Sequence, residues 1–257
     1  EDGTQATHEV LIGADGIHSR VRAALFGDEY PRFTGVVSYR AVVHTERVKS
    51  VPEIEAFTKW WGPNPQSQIV TFPLNLGRDT FIFATTGQDS WHEESWTSEG
   101  DVNELRSHYR EFHPHARALL DACDSVLKSA LYERDPLPTW NHGRVTLLGD
   151  AAHAMYPIGS NGAAQGLIDS RTLAGLLQTM DDPVAALAAY EQARLGPTAK
   201  IVRTNRATPP DVINIKVEEL TGDKPFDNLD RFISQDELRA LSDNYKQVAG
   251  FGRQDVN

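Results

Sequence analysis

Cysteine is almost absent from this sequence, since Cys123 is the single cysteine among 257 residues. One cysteine cannot form an intramolecular disulfide, and a structural zinc site would have to rely on histidine and carboxylate ligands. Basic residues are also scarce: 25 lysines and arginines stand against 36 aspartates and glutamates, for a formal charge of −11. A surface of this charge repels phosphate backbones, and no basic cluster offsets it, so we predict no nucleic-acid partner.

Long apolar runs are missing as well. The apolar runs present are far shorter than the roughly 20 residues that a membrane-spanning helix needs. The first residues, 1–4, lack the basic and then apolar pattern of a signal peptide. These absences predict a cytoplasmic protein with no membrane partner.

Histidine is the remaining candidate for a metal ligand. His113 and His115 stand two residues apart, a spacing that does not place them on one helix face. His108 lies nearby, but no arrangement of carboxylate and histidine completes a facial site. We therefore predict no metal site.

The start of the chain predicts a strand followed by a helix. Residues 10–12 form an apolar run that ends at the turn 13–16, which is typical of a buried parallel strand. Ser19 is a suitable helix N-cap, and Gly27 is a suitable stop for the helix between them. This pair is expected to belong to a doubly wound sheet.

From Gly35 the sequence changes to segments rich in β-branched and aromatic residues. Residues 36–43, 68–74 and 80–86 have this character, and a hairpin-type loop at 75–78 joins the last two. They predict an antiparallel sheet.

The rest of the chain predicts helices with two further strands. A helical stretch at 102–123, interrupted at Pro114, precedes strands at 126–134 and 144–149. Helical spacing returns at residues 162–177, where the expected apolar face consists of Leu167, Leu173, Ala174 and Leu177.

Two more helices are predicted towards the carboxyl terminus. Asp182 and Pro183 provide a cap and a first-turn proline for a helix that is expected to end at Gly196 and Pro197. A final helix is expected at 235–248.

Two turns share one pattern, in which an apolar strand ends in glycine and aspartate. They contain Asp15 with Gly16 and Gly149 with Asp150. In open α/β sheets, ligands bind outside the carboxyl ends of the strands, where glycine permits close backbone approach and aspartate accepts hydrogen bonds from hydroxyl groups. Each turn taken alone is more often only a helix cap.

The segments around these turns make the pattern more specific. The run GADGIHSRVR at 13–22 resembles the DG motif of class A flavoprotein monooxygenases, the family of p-hydroxybenzoate, salicylate and phenazine hydroxylases. The run GDAAH at 149–153, continuing through YPIGSNGAAQG at 156–166 to Asp169, resembles the GD motif of that family and the flavin-ring loop behind it. The similarity extends from Val10 to about Arg206.

The resemblance implies a mixed α/β fold, in which an incomplete, doubly wound FAD-binding domain is interleaved with an antiparallel-sheet substrate domain. Residues 1–34 would belong to the FAD-binding domain, 35–134 to the substrate domain and 135–196 again to the FAD-binding domain. Residues 197–257 would form a helical carboxyl-terminal segment.

The family's cofactor contacts map onto both motifs. The resemblance implies that Asp150, next to Gly149, accepts a hydrogen bond from the ribityl chain of FAD. Arg22, on the helix after Asp15 and Gly16, would lie near the pyrophosphates of FAD and of the nicotinamide cofactor. The loop residues Pro157, Gly159, Asn161, Gly162 and Ala163 would place backbone amides around the pyrimidine edge of the flavin. Gly162 is expected to need glycine's close approach or its positive φ.

The predicted sheet would form a wall of the substrate cavity. The candidate substrate contacts are Tyr39, Arg40, Phe72 and Phe83, although aromatic residues on a sheet more often serve only in packing. Arg40 could hold a carboxylate or phenolate through paired hydrogen bonds, whereas a surface ion pair is its commoner role.

The resemblance implies an FAD-dependent monooxygenase. NAD(P)H would reduce the flavin, O₂ would form a C4a-hydroperoxyflavin, and one oxygen atom would pass to a small aromatic substrate. The cofactor carries this chemistry, so no catalytic side chain is assigned. Two alternatives stay open: a related flavoenzyme for reduction, halogenation or epoxidation, and a non-catalytic fragment.

The glycine fingerprint G-x-G-x-x-G, which holds the FAD pyrophosphate at the start of this family, is absent. The sequence therefore resembles the carboxyl-terminal part of a longer enzyme. We expect the 257 residues alone to bind FAD weakly or not at all.

Overall fold

The computed structural model describes residues 3–62, 64, 66–91, 98–207, 212–222 and 224–248. The chain divides into two compact units. Unit 1 consists of Glu1–Arg32 with Tyr132–Asn257, and unit 2 consists of Phe33–Leu131. The interleaving of two domains, with the boundaries given above, stays a prediction.

The described residues form helices and strands in both units. The helices are α1 (Arg20–Phe26), α2 (Val102–His108), α3 (Pro114–Asp121), α4 (Asp150–His153), α5 (Gly162–Thr179), α6 (Pro183–Ala207), α7 (Val212–Thr221) and α8 (Gln235–Val248). The strands are β1 (Leu11–Gly13), β2 (Arg32–His44), β3 (Thr58–Trp61), β4 (Gln68–Leu74), β5 (Asp79–Gly87), β6 (Ser98–Gly100), β7 (Val126–Glu133) and β8 (Val145–Leu147). The sequence analysis missed β3, β6, α4 and α7.

Unit 1 contains the parallel pair β1 and β8. Ser19 caps α1 by accepting a hydrogen bond from the Arg22 amide, and Gly27 ends this helix at a φ of 90°. The predicted cap and stop are therefore confirmed. A cluster of buried side chains around Trp140, Leu147, Leu173, Leu187 and Tyr190 forms the core of this unit.

Three expectations for unit 1 were wrong. Strand β1 is not buried: Leu11 is 49% exposed, because a two-stranded sheet covers few of its side chains. Leu167 is 72% exposed, since the buried face of α5 consists of Gln165, Asp169 and Leu173. Helix α6 does not end at Pro197 but continues to Ala207, where packing outweighs the proline's missing amide hydrogen bond.

Unit 2 contains a six-stranded sheet in the order β3-β4-β5-β2-β7-β6. Strand β2 pairs antiparallel with β5, and β5 pairs antiparallel with β4. The end of α2 lies against the sheet, where the hydroxyl of Tyr109, the C-cap of this helix, donates to the carbonyl groups of Gln68 and Thr85. The predicted antiparallel sheet is confirmed.

In the part of the chain that the structure describes, no helix is long and apolar enough to cross a bilayer.

Candidate functional site

The two glycine-aspartate turns lie side by side at one edge of the parallel pair. Gly13 at the end of β1 aligns with Leu147 at the end of β8. The Leu148 amide continues this alignment by donating a hydrogen bond to the Gly13 carbonyl at 2.9 Å. Because both strands run in the same direction, the turns that follow them leave the sheet at the same edge.

In the first turn, Asp15 anchors the helix that follows. Its carboxylate accepts hydrogen bonds from the Ser19 hydroxyl at 2.5 Å and from the Arg20 amide at 2.8 Å. Burial alone would raise the pKa of Asp15, but these bonds and one from the Val21 amide outweigh burial and lower the pKa. Gly16 has a φ of 78°, which glycine adopts without strain.

In the second turn, Gly149 requires glycine for its backbone conformation. Its φ is 62° and its ψ is −138°, a combination that side chains strongly disfavour. A Cβ on Gly149 would meet nothing within 4 Å, so open space lies beside the turn. Asp150 begins α4 and is exposed.

The loop after α4 leads directly into helix α5. Pro157–Gly159 forms a 3₁₀ turn, and Ser160 follows it in the left-handed region at a φ of 54°. Helix α5 begins at Gly162. Its first turn, which the structure describes in full, contains no acidic residue and receives no capping hydrogen bond from the side chain of Asn161. A helix start without these partners favours an anion.

Gly162 is not constrained as expected. Its φ is not positive, and a Cβ there would lie 3.8 Å from an Asp150 carboxylate oxygen, which is ordinary contact. The expectation that Gly162 needs positive φ was therefore wrong. The backbone constraint lies at Gly149 instead.

Arg22 lies inside unit 1 and is 2% exposed. Its guanidinium donates to the carbonyl groups of Ala151 and Ala152, each at 3.3 Å, and to Glu29 at 2.8 Å. These bonds tie α1 to α4. A contact with a pyrophosphate group stays a prediction, and the observed contacts give Arg22 a framework role.

A buried ionic network lies directly behind the Gly149 turn. Asp169 is fully buried and accepts hydrogen bonds from His153 Nε2 at 2.5 Å, Arg194 Nε at 2.7 Å and the Gly149 amide at 3.3 Å. Arg194 also donates to Gln165 at 2.6 Å. This network fixes the amide that begins the turn.

Asp169 is held in its charged form. Burial alone would raise its pKa, but the hydrogen bonds and electrostatic interactions with His153 and Arg194 outweigh burial and lower the pKa. The sequence analysis assigned no role to Asp169 or Arg194. The signal for Asp169 was the four-residue spacing from Gln165 through Asp169 to Leu173, which places two polar side chains on the buried face of α5.

In unit 2, strand pairing separates the four candidate substrate residues. Arg40 lies directly opposite Phe83, and Phe72 lies opposite Phe81, with ring centroids 4.9 Å apart. Arg40, Phe72 and Phe83 therefore share one face of the sheet.

Tyr39 lies on the opposite face, because successive side chains of a strand alternate between the two faces. There its ring lies 6.2 Å from the ring of His108 on α2. The structure therefore separates Tyr39 from the other three candidates, and contact of any of the four with a substrate stays a prediction. The alternation of the pleat could have shown this from sequence.

Comparison with known proteins identifies the family. A family model described as an FAD binding domain matches residues 2–205. The chain belongs to this FAD-binding family. Its relatives confirm the resemblance to class A flavoprotein monooxygenases.

Two curated relatives have similar levels of identity. The 6-hydroxynicotinate 3-monooxygenase of Pseudomonas fluorescens is 35% identical over 206 residues, covering 79% of this chain and 53% of the relative. The 3-hydroxybenzoate 6-hydroxylase of Klebsiella oxytoca is 36% identical over 208 residues, covering 80% of this chain and 51% of the relative. The chain therefore spans about half the length of the curated relatives it matches.

A solved structure shows the same fold. A salicylate hydroxylase in complex with substrate superposes with a TM-score of 0.73 at 27% identity, covering 96% of this chain and 66% of the other.

The residues of this chain fit part of a flavin site. Open space lies beside Gly149, and the exposed Asp150 carboxylate can accept hydrogen bonds from hydroxyl groups. A Cβ on Gly166 of α5 would lie 3.9 Å from the Gly149 Cα atom, so the helix approaches the turn closely.

The backbone of Gly149 gives a stability prediction. Gly149→Ala is expected to lower the free energy of unfolding by about 1–3 kcal/mol, because alanine must adopt a sparsely populated conformation. Gly162→Ala is the matched control and should change it by less than about 1 kcal/mol, as its Cβ has room. Urea denaturation of both variants measures the difference, and equal effects would contradict this assignment.

Proposed function

We propose that the natural protein containing this chain is an FAD-dependent monooxygenase that hydroxylates a small aromatic substrate with NAD(P)H and O₂ in the cytoplasm. The observation that carries this proposal is the placement of both glycine-aspartate turns at one edge of the parallel pair. The family match and the names of the relatives support it.

The second turn and its loop would hold the ribityl chain and ring of FAD. Asp150 would accept a hydrogen bond from a ribityl hydroxyl group, with Gly149 leaving room beside it. The backbone amides of residues 158–163, which lead into the start of α5, would face the pyrimidine edge of the ring, where reduction adds negative charge. A helix N-terminus contributes roughly 0.3–2 kcal/mol to such an anion.

The first turn would approach the nucleotide end of FAD. Gly16 leaves open space beside the backbone, since a Cβ there would meet nothing within 4 Å. Asp15 holds the start of α1, and Arg22 ties that helix to α4. We propose that this framework sets the distance between the two turns.

Bound FAD would supply the chemistry of oxygen activation, and the protein residues would supply position and a shielded environment. In unit 2, we propose that the aromatic substrate lies against the sheet face of Phe72 and Phe83. Arg40 on the same face would pair with a substrate carboxylate or phenolate through two hydrogen bonds.

Asp150 provides the test of the flavin site. Loss of a charge-assisted hydrogen bond costs about 1.5–3 kcal/mol, or roughly ten- to a hundredfold in affinity. Asp150→Ala in the natural protein should raise the FAD dissociation constant by this factor, measured by the quenching of flavin fluorescence. Asp28→Ala, which removes another exposed carboxylate, is the control. An unchanged constant in Asp150→Ala would show that Asp150 is only a helix residue.

The activity is tested separately. The natural protein is incubated with FAD, NADH or NADPH, O₂ and a panel of hydroxylated aromatic acids. We expect NAD(P)H oxidation that increases with one of these acids and yields a product with one added oxygen atom. A flavoprotein that oxidises NAD(P)H without any oxygenated product would contradict the proposed hydroxylation and favour reduction.

A further inference from the structure

The carboxyl-terminal helix α8 contacts the loop proposed to hold the flavin ring. The Tyr245 hydroxyl accepts a hydrogen bond from Asn161 Nδ2 at 2.5 Å and donates one to Asn205 Oδ1 at 2.8 Å. Asn205 of α6 in turn donates to the Tyr156 carbonyl at 3.1 Å. One hydroxyl group therefore connects α8, α6 and both ends of the loop 156–161.

The loop is shaped for this contact. A Cβ on Gly159 would lie 1.8 Å from the Tyr245 hydroxyl oxygen. Real Cβ atoms do not approach an oxygen so closely, so any side chain at 159 would displace Tyr245. The absence of a side chain at Gly159 is what allows the hydroxyl to approach the loop.

The side chain of Asn161 bonds Tyr245 and does not cap the helix that follows it. Asparagine immediately before a helix usually accepts a hydrogen bond from a first-turn amide. Here Asn161 has helical backbone angles, φ −96° and ψ −22°, and its side chain makes no such bond within the described first turn. Its side chain is 99% buried, as is that of Asn205, so both amides are enclosed where they meet the hydroxyl.

We propose that Tyr245 is a positioning residue for the flavin, which acts by holding the loop 156–161 so that the first amides of α5 face the ring edge. This inference rests on the proposed function. It also assigns a role to the carboxyl-terminal segment, for which the sequence analysis found none.

The first experiment measures the loop without any cofactor. In the apo form of the natural protein, Tyr245→Phe should accelerate hydrogen exchange of the amides at 159–164 by about five- to thirtyfold, which corresponds to the loss of one or two hydrogen bonds. Tyr109→Phe is the matched control, because it also removes a buried hydroxyl bonded to two partners, Gln68 and Thr85, in unit 2. It should leave exchange at 159–164 unchanged.

A double variant tests whether the bond itself matters. Asn161→Ala and Tyr245→Phe remove the two ends of one hydrogen bond, so their combined effect on exchange should be smaller than the product of the separate effects. Effects that multiply independently would show that the two residues do not act together.

The FAD dissociation constant is the second readout, and it separates positioning of the flavin from structural support of the loop alone. Tyr245→Phe should raise the FAD dissociation constant by about fivefold or more, whereas Tyr109→Phe should not change it. Faster exchange with an unchanged dissociation constant would overturn the role towards the flavin, and unchanged exchange would overturn the whole proposal. A wild-type protein that binds no FAD would contradict the proposed function, and exchange would still show whether Tyr245 holds the loop.

Discussion

Replacing Asp169 with alanine is expected to lower the free energy of unfolding by about 3–5 kcal/mol, the usual effect of removing one partner from a buried ionic network. The variant leaves Arg194 and His153 without their shared acceptor, and the Gly149 amide loses its bond as well. Urea denaturation at neutral pH measures the change. A loss below about 1 kcal/mol would contradict the network.

Asp150→Ala is the matched control for this stability effect. Asp150 is an exposed carboxylate on the same turn, so its removal should change the free energy of unfolding by less than about 0.5 kcal/mol. The two aspartates are therefore expected to separate two properties. Asp150→Ala weakens FAD binding with little loss of stability, while Asp169→Ala lowers the stability of the fold that supports the turn.

The dependence on pH follows from the direction of the shift. The folded-state pKa of Asp169 lies below its ordinary value of 3.8. Its contribution to stability is therefore fully present above about pH 4 and is lost as the pH falls through the folded-state pKa. The free energy of unfolding of the wild type, measured by urea denaturation at several pH values, should therefore fall more steeply than that of Asp169→Ala as the pH is lowered below about 4.

Replacing Arg22 with methionine is expected to lower the free energy of unfolding by about 2–6 kcal/mol. Methionine keeps much of the side-chain volume but removes the donors to the Ala151 and Ala152 carbonyl groups. Each buried carbonyl left without a partner costs about 1–3 kcal/mol. Urea denaturation of the variant without FAD measures this effect.

Arg20→Met provides the comparison on the same helix. Arg20 is exposed at the first position of α1, so the same substitution there should change stability by less than about 0.5 kcal/mol. If Arg22→Met weakened FAD binding and left stability intact, Arg22 would be a ligand contact and not part of the framework.

Local sequence patterns predicted most helices and strands correctly where short-range geometry decides them. Ser19 and Gly27 bound α1, and Asp182 with Pro183 begins α6, because caps and fixed φ angles act within a few residues. The loop at 75–78 joins β4 and β5 for the same reason. The end of α6 was missed because the packing of residues beyond Pro197 is not a local property.

Parts of the candidate site were also readable from the motifs. The two turns follow from glycine and aspartate placed after apolar runs, whereas the loop at 157–163 was given by the resemblance to the family. The separation of Tyr39 from Arg40 was readable too, because the two-residue alternation of a strand places neighbouring side chains on opposite faces.

By itself, the sequence determined the family, the two turns and most of the strands and helices, since these depend on residue types at short spacing. Only the tertiary structure decided which polar side chains meet. Asp169 reaches Arg194 across 25 positions, and Asn161 reaches Tyr245 across 84. The physical reason is that a buried hydrogen bond needs partners from different helices within about 3 Å, a distance set by how α5, α6 and α8 pack and not by any pattern along the chain.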